Sequence, residues 1–429
     1  MNLSHILILF GFQISQLGLC HASEKIEDKS KREQVSSSLF SSNKIAIEIS
    51  SGKTKTTTFA ITSNNETLAN KIKKKLEFTR RFKHIVSEIS AAKMQAAGID
   101  MFIKISLIEE KINVEIYDVL QKKLLKSITI TGDISQEYTL NEIANQVYKH
   151  WINEPGIFNT AIIAISDIGN DLSTLVQAKY GNTKTTCISP PIAYLNSIIK
   201  ANACIYITKF CTKKRGFGIF SYDWHTKHFY RILGITNGSV FAPALFNGKL
   251  YISASSKGTT GIYSLPHLGE YKQFADFAQF EKDPNTKKIA KFPNKIATSI
   301  NVNNKMTIFC SNSQGAPAIF SSNNTQLSSS SGAYYDPCLF EDQKIAAIKS
   351  QNGQFHLVII DLVTKTERTL LSKYFISKPS WSPCGNWIAV SVREKGENDY
   401  IILLHKSGKY QRVIAGETPL KNPIWIIKE

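Results

Sequence analysis

The stretch KPSWSPCGNWIAV, residues 378–390, places a Pro, a Trp and a Ser-Pro-Cys-Gly segment directly before an apolar run. A proline has no N–H donor and a fixed φ, so it suits the beginning of a strand better than its interior. The Ser-Pro-Cys-Gly segment predicts a tight turn into the apolar strand. We expect Trp381 to bury its ring between two neighbouring structural units.

The same pattern recurs along the second half of the chain. APALFNGKLYISAS begins at Ala242 and DPCLFEDQKIAAIKS at Asp336, each with Pro second and a strand about seven residues later. ATSINVNNKMTIFCS, which begins at Ala297, is a degenerate copy with Thr298 in the place of Pro, and NPIW opens the last copy. The anchors are roughly 40 to 55 residues apart, a spacing typical of propeller blades. They are Pro191 (the weakest copy), Pro243, Thr298, Pro337, Pro379 and Pro423.

Six anchors predict an all-β six-bladed β-propeller over residues 157–429. The strand at residues 159–165 is expected to pair with the end of the chain, because closure of the ring removes exposed sheet edges. We therefore expect the last residues, IWIIKE, to be ordered.

The segment before the propeller predicts a small α+β N-terminal domain over residues 44–154. KIAIEIS, residues 44–50, alternates apolar and polar residues and indicates a strand. One helix is expected over about residues 66–82, and a second in TLNEIANQVYKHWI, whose apolar residues form one stripe. Between the helices, DMFIKISLI, KINVEIYDVL and KLLKSITITG indicate three strands, the first two joined as a hairpin. The Glu-Pro-Gly segment at residues 154–156 marks the end of the domain.

The first residues, 1–22, predict a signal peptide. An apolar run ends in Cys-His-Ala before a charged tract, which is typical of cleavage near Ala22. An uncleaved anchor is the alternative, although the run is shorter than the roughly 20 apolar residues of a membrane span. Residues 23–43 combine mixed charge with serine and predict a flexible arm. We therefore expect an exported protein.

The formal net charge of +18 predicts attraction to anionic partners. Seven basic residues lie in KIKKKLEFTRRFK, residues 71–83, but Ile72, Leu76 and Phe82 indicate a buried stripe beside a solvated basic face. No aromatic sheet motif for base stacking accompanies them, so nucleic acid is not an expected partner. An exported propeller that binds an anionic polymer or lipid surface electrostatically is the alternative function, which a steep loss of binding with salt would reveal.

The sequence predicts neither a metal site, a cofactor nor an enzyme. His225 and His228 have no carboxylate or cysteine cluster beside them, and the chain contains no G-x-S-x-G nucleophile elbow. Cys204 and Cys211 are the only cysteines close enough in sequence for a local bridge, and buried apolar roles are the other interpretation. The cysteines after the predicted signal peptide are Cys187, Cys204, Cys211, Cys310, Cys338 and Cys384.

Two motifs and the order of the segments give a family resemblance. PSWSPCGNWIAV is similar to the repeat P-x-W-S-P-D-G-x-x-I-A, and AAGIDMFIKISL is similar to a strand that opens with A-x-G-I-D. With the order of signal peptide, α+β domain and propeller, the chain resembles the TolB family, the periplasmic propeller components of the Tol-Pal system of Gram-negative bacteria.

The resemblance implies a non-catalytic periplasmic adaptor that is peripheral to membranes. In the family, the propeller binds the peptidoglycan-associated lipoprotein Pal, and the N-terminal region engages TolA or another inner-membrane Tol component. Such an adaptor links the outer membrane and peptidoglycan to the inner-membrane Tol complex, and it supports envelope integrity and cell division.

The resemblance also implies a Pal-binding face around the propeller channel. Its contacts would lie in the short loops before the anchors, although each residue is equally compatible with an ordinary loop role. The positions carried over are Ser239, Val240, Ile296, Ala297, Asp336, Ser377, Lys378, Lys421 and Asn422.

Overall fold

The computed structural model describes residues 56–86, 90–178, 185–200, 204–211, 216–266, 272–293, 297–303, 306–312, 315–341, 343–414, 416 and 418–427. The predicted signal peptide, the predicted arm and the strand predicted in KIAIEIS lie outside these residues. Within these ranges, no helix combines the length and apolar character required to cross a membrane.

An α+β domain forms the first described part of the chain. Its strands are β1 (Thr57–Ser63), β2 (Phe82–His84), β3 (Met101–Ile108), β4 (Lys111–Asp118) and β5 (Lys123–Thr131). Its helices are α1 (Glu66–Phe78), α2 (Ala91–Ala96) and α3 (Glu137–Ile152). The sheet order is β2-β1-β3-β4-β5, with β1 parallel to both neighbours and the remaining pairs antiparallel. Apolar residues of α1 and α3 share one buried cluster with the sheet.

The first predicted helix ends earlier than expected. It begins at Glu66, where the side chain of Asn65 accepts a hydrogen bond of 3.0 Å from the backbone N–H of Leu68. It ends at Phe78 because Arg80 has a left-handed φ of 56°, which interrupts the helix. Phe82, predicted to be helical, instead begins the edge strand β2 beside β1.

Six further sheets form the blades of a propeller, as predicted. Blade 1 contains β10 (Leu195–Lys200), β11 (Ile205–Cys211), β12 (Gly216–Asp223), β13 (His228–Ile235) and β17 (Lys272–Phe274). Blade 2 contains β14 (Ser239–Phe246), β15 (Lys249–Ser256), β16 (Thr259–Pro266) and β18 (Lys287–Pro293), and a short helix, α4 (Phe277–Lys282), precedes its last strand. Blade 3 contains β19 (Ala297–Val302), β20 (Thr307–Ser311) and β21 (Ala318–Ser321).

The remaining blades complete the ring. Blade 4 contains β22 (Ala333–Phe340), β23 (Lys344–Gln351), β24 (Gln354–Asp361) and β25 (Thr366–Lys373). Blade 5 contains β26 (Phe375–Trp381), β27 (Trp387–Arg393), β28 (Tyr400–His405) and β29 (Gln411–Ile414). Blade 6 contains β30 (Leu420–Ile427), β6 (Thr160–Gly169), β7 (Leu172–Ala178) and β8 (Thr185–Cys187), with β9 (Ile192–Ala193) paired to β7.

The two ends of the propeller sequence close the ring within blade 6. The last strand, β30, pairs antiparallel with β6, the first propeller strand in the chain. The inner strands β10, β14, β19, β22, β26 and β30 contact one another in this order and return to β10. The predicted closure is confirmed, and residues 424–427 of IWIIKE are ordered in β30, whereas the last two residues lie outside the described ranges.

A β-bulge with a left-handed residue marks the equivalent position in five inner strands. These residues, which we call the bulge row, have φ between 47° and 53°: Ala242, Ser299, Asp336, Lys378 and Asn422. Four of them are followed by the anchor proline. In blade 3 the residue after the left-handed position is Ile300, so the predicted anchor at Thr298 is wrong by two positions. The repeat is defined by backbone conformation, and a left-handed residue marks that conformation where proline is absent.

Blade 1 differs from this pattern. Its left-handed residue, Tyr194 (φ 55°), directly precedes β10, and the β-bulge follows between Leu195 and Ser197. Pro191, the predicted anchor, lies before β9 and therefore outside the inner strand. The weakest predicted copy has the least regular blade start.

Candidate functional site

The candidate residues lie in the inner strands rather than in the loops before them. Ser239 and Val240 open β14, and Ala297 opens β19. Asp336 lies in β22, Ser377 and Lys378 in β26, and Lys421 and Asn422 in β30. The strands start earlier than the sequence predicted because pairing with the second strand continues on both sides of each bulge. Ile296 lies outside the described residues.

Three of these residues are buried, and one of them, Asn422, is 8% exposed. Val240 and Ala297 are both 0% exposed, and each belongs to a blade core. Ser239, Ser377 and Lys378 are partly exposed. The side chains that can meet a partner at this face are therefore polar.

Asp336 connects three consecutive blades through hydrogen bonds. Its carboxylate accepts hydrogen bonds from the Ser299 hydroxyl (2.9 Å), the Lys378 backbone N–H (3.2 Å) and Lys378 Nζ (2.6 Å). Burial by itself would raise the pKa of Asp336, but the Lys378 charge and these hydrogen bonds lower it below its usual value. An ionised Asp336 therefore joins blades 3, 4 and 5, while the Lys378 side chain remains 40% exposed.

Blade 6 is connected to its neighbours in a similar way. The backbone N–H of Asn422 donates to Ser391 Oγ in blade 5 (2.8 Å), and its Nδ2 donates to the Asn196 carbonyl in blade 1 (2.7 Å). Lys421 Nζ lies 2.6 Å from Asp167 Oδ2 within blade 6. The bulge row thus contributes hydrogen bonds between blades. The two candidate lysines, Lys378 in the row and Lys421 directly before Asn422, are each paired with an aspartate.

The candidate face lies opposite the N-terminal domain. In blade 5 the inner strand begins at Phe375, which pairs with Arg393 at one end of the sheet. Trp387 and His405 pair at the other end. That second end contacts the α+β domain, since His405 Nε2 lies 3.3 Å from Glu154 Oε2. A partner on the face where the inner strands begin would leave the domain junction free.

The domain junction is built around Arg81, one of the seven basic residues in the segment 71–83. Arg81 Nη1 donates to Tyr148 Oη (3.1 Å) and contacts Glu154 at ion-pair distance. His405, 3% exposed, lies against the same carboxylate. Burial and the Arg81 charge lower the pKa of His405 to about 4, so this histidine is neutral near pH 7. Nothing in the local sequence around Arg81 indicated this role, because its partners are distant in the chain.

Apolar packing completes the junction. Phe78, the last residue of α1, belongs to the same buried cluster as Trp387 of blade 5 and Trp425 of blade 6. The guanidinium of Arg81 also lies over the Tyr410 ring, at 5.1 Å from its centroid. The helix end is therefore held by residues from two blades.

The predicted role of Trp381 is confirmed. Its ring is 7% exposed, its Nε1 donates to the Cys338 carbonyl of blade 4 (3.0 Å), and it packs against Phe340 at 5.5 Å between ring centroids. Trp425 repeats this contact, with Nε1 donating to the Ser380 carbonyl of blade 5 (2.9 Å). The predicted turn is also present, with the Gly385 N–H donating to the Ser382 carbonyl at 2.9 Å.

All six described cysteines are free. Cys204 immediately precedes β11 and Cys211 ends it, so an extended strand separates them by more than a disulfide can span. In the parts of the chain that the structure describes, no group of three or more His, Cys, Asp or Glu residues could hold a metal ion.

Comparison with known proteins identifies the fold. No protein-family model matches the chain. The crystal structure of TolB from Acinetobacter baumannii superposes with a TM-score of 0.72, covering 88% of this chain and 98% of that one at 19% identity. This chain has a TolB-like fold. The Tol-Pal system protein TolB of Hydrogenovibrio crunogenus is 24% identical over 90 residues, which is 21% of each sequence. The chain thus matches about a fifth of the length of that curated TolB, and the predicted TolB-like architecture is confirmed at the level of fold.

Proposed function

We propose that this protein is a non-catalytic periplasmic adaptor of the Tol-Pal system. The observation that carries the proposal is the structural match, which extends over both the α+β domain and the propeller and covers 98% of a TolB structure. A stretch of similarity to a curated Tol-Pal system protein TolB supports it. The predicted signal peptide supports a periplasmic location.

In this proposal the propeller binds Pal at the face where the inner strands begin. Ser239, Ser377, Lys378 and Lys421 supply the polar side chains, and Asp336 and Asn422 hold the strands that carry them. Lys378 and Lys421 already pair with aspartates, so a partner carboxylate would compete with those pairs. Such charges contribute to selection of the partner and to the rate of association more than to affinity.

The N-terminal region would engage TolA or another inner-membrane Tol component. With Pal bound at the opposite face, one molecule would connect the outer membrane and peptidoglycan to the inner-membrane complex. Support of envelope integrity and cell division would follow from that connection.

Calorimetric titration with the soluble Pal domain of the same organism tests the proposal. We expect saturable one-to-one binding to residues 23–429 that persists at moderate salt. Lys378→Ala and Lys421→Ala should each weaken binding by no more than about two- to fivefold, because exposed charge pairs contribute about 0.2–1 kcal/mol. Lys365→Ala is a matched control, because this exposed lysine lies in the turn between β24 and β25, at the other end of blade 4. Absence of binding would refute the Pal assignment.

Electrostatic binding to an anionic polymer or lipid surface is the second candidate function. The net charge of +18 favours it. Binding that falls steeply with salt and is insensitive to Lys378→Ala and Lys421→Ala would support this function over the adaptor role.

A further inference from the structure

A small cleft at the domain junction carries several positive charges. It has a volume of about 240 Å³ and is lined by Lys74, Glu77 and Phe78 of α1 and by Arg412 of β29 in blade 5. Arg80, at the left-handed position after the helix, adds its charge to that of Arg412. The cleft therefore combines residues of the α+β domain with a residue of the propeller.

Arg412 is a half-buried arginine without a carboxylate partner among the described residues. Its guanidinium carbon lies 5.2 Å from the centroid of the Phe78 ring. Burial and the nearby charge of Arg80 both lower the pKa of Arg412. Arg81, at the same junction, lies against Glu154, and Arg393 of the same blade lies 3.7 Å from Asp399. An arginine that packs on a ring and has no carboxylate partner among the described residues has the properties of a binding residue.

The local charge balance remains positive when the acidic residue is included. Among the described residues that line the cleft, Glu77 is the one carboxylate, and its Oε1 accepts a hydrogen bond of 3.1 Å from the His84 backbone N–H. Lys75, the neighbour of Lys74, points to the other side of α1 and pairs with Glu137 at 2.6 Å. Lys74, Arg80 and Arg412 thus exceed Glu77 by two positive charges.

We propose that this cleft binds a phosphoryl group and that the bound group connects the two domains. The planar fork of a guanidinium donates two parallel hydrogen bonds to phosphate oxygens, and a second guanidinium and an ammonium complete the charge balance. A phosphate ester carries about −1 to −2 charges near pH 7, which matches the excess of two in the cleft. A soluble phosphate ester and the headgroup of an anionic lipid share this chemistry. The site goes beyond the adaptor function and does not depend on Pal.

The test uses residues 23–429 and two probes at constant ionic strength. The first probe is glycerol 3-phosphate, followed by calorimetry, and the second is vesicles of phosphatidylcholine with or without phosphatidylglycerol, followed by sedimentation. Arg412→Gln removes the charge and keeps most of the length of the side chain, and we expect at least tenfold weaker binding of the probe that binds the wild-type protein. Lys365→Gln is the matched control, since it removes one charge from blade 4 and should change binding by less than twofold.

Each pattern of results decides the proposal. Binding of glycerol 3-phosphate alone identifies a soluble phosphate ester as the source, and binding of phosphatidylglycerol vesicles alone identifies a lipid headgroup. Either result supports the site when Arg412→Gln weakens the binding at least tenfold. Three results would overturn the proposal. The first is equal binding of the probe by Arg412→Gln and the wild-type protein, and the second is that acetate and phosphate displace the probe equally well. The third is that neither probe shows saturable binding. If Arg412→Gln fails to fold, the exposed Arg80→Gln replaces it and should reduce binding at least threefold.

Discussion

Blades 5 and 3 occupy the same kind of position in the ring but are stabilised by different side chains. Blade 5 has four strands, Pro379 after its left-handed residue and Trp381 between the blades. Blade 3 has three strands in the described part of the chain, with Ile300 and Val302 in the corresponding places. The left-handed residue and the bulge are nevertheless the same in both.

The difference teaches which part of the repeat is obligatory. Contacts between blades recur with different chemistry: Asn301 Oδ1 of blade 3 accepts from the Leu339 N–H of blade 4 at 3.2 Å, and Trp381 of blade 5 donates to the Cys338 carbonyl of blade 4 at 3.0 Å. A polar side chain or an indole can therefore form the hydrogen bond that a backbone N–H or carbonyl requires between two blades. Blade 5 also contacts the α+β domain at the junction, and it is the more extensively packed of the two blades.

Trp381→Ala should produce the largest effect. The substitution removes a buried ring and an indole hydrogen bond, so we expect a loss of about 4 kcal/mol in the free energy of unfolding in urea. The equivalent change in blade 3, Val302→Ala, should cost about 1 kcal/mol, because this partly buried side chain is smaller. Equal losses in the two variants would contradict the contrast between the blades.

His405→Gln tests the contact between blade 5 and Glu154 at the domain junction. The folded protein holds the pKa of His405 at about 4, below its ordinary value of 6.5, so protonation favours the unfolded chain as the pH falls through this window. The wild-type protein should lose on the order of 2–3 kcal/mol between pH 7.5 and pH 4.5 through this residue, and the Gln variant should lack that component. Unfolding in urea at the two pH values measures the difference. The same pH dependence in both proteins would assign it to other groups.

Asp336→Asn tests the polar links between blades 3, 4 and 5. The amide keeps the shape of the side chain but leaves Lys378 without its charged partner, so we expect a loss of about 1–2 kcal/mol at pH 7. Ser299→Ala removes a single hydrogen bond to the same carboxylate and should cost about 0.5–1 kcal/mol. A more stable Asn variant would show that burial of the ion pair costs more than its attraction returns.

Pro379→Ala should give the smallest effect. Because Ile300 occupies the equivalent place in blade 3, the fold does not require proline there, and the loss should be about 0.5–1 kcal/mol through greater freedom of the unfolded chain. A loss above about 3 kcal/mol would mean that blade 5, unlike blade 3, depends on proline to form its bulge.

Local patterns determined much of this structure. Apolar alternation and the recurring turn residues predicted six blades, the closure by the last strand and the buried position of Trp381, because these depend on spacing within one blade. The sequence did not locate the bulge of blade 3. Its left-handed residue is Ser299, which is followed by Ile300 and not by proline, so no distinctive residue marks the position.

The candidate site was predictable only in part. The family resemblance placed Asp336 and Lys378 on one face, but their pairing at 2.6 Å depends on the approach of two blades. Val240 and Ala297 lie in the inner strands of two other blades with their side chains in the blade cores, because the pleat of a strand turns alternate residues inward. Whether a side chain at a given strand position is exposed depends on the register of that strand, and short-range sequence patterns specify the register weakly.

By itself the sequence determined the repeat, the domain order and the basic charge, since each is a property of neighbouring residues or of composition. Only the tertiary structure decided that Arg81 meets Glu154 and His405, and that Arg412 lines one cleft with Lys74 while the charge of Arg80 lies nearby. The physical reason is distance along the chain: closure of the ring and docking of the α+β domain against blade 5 bring together groups that no local pattern relates.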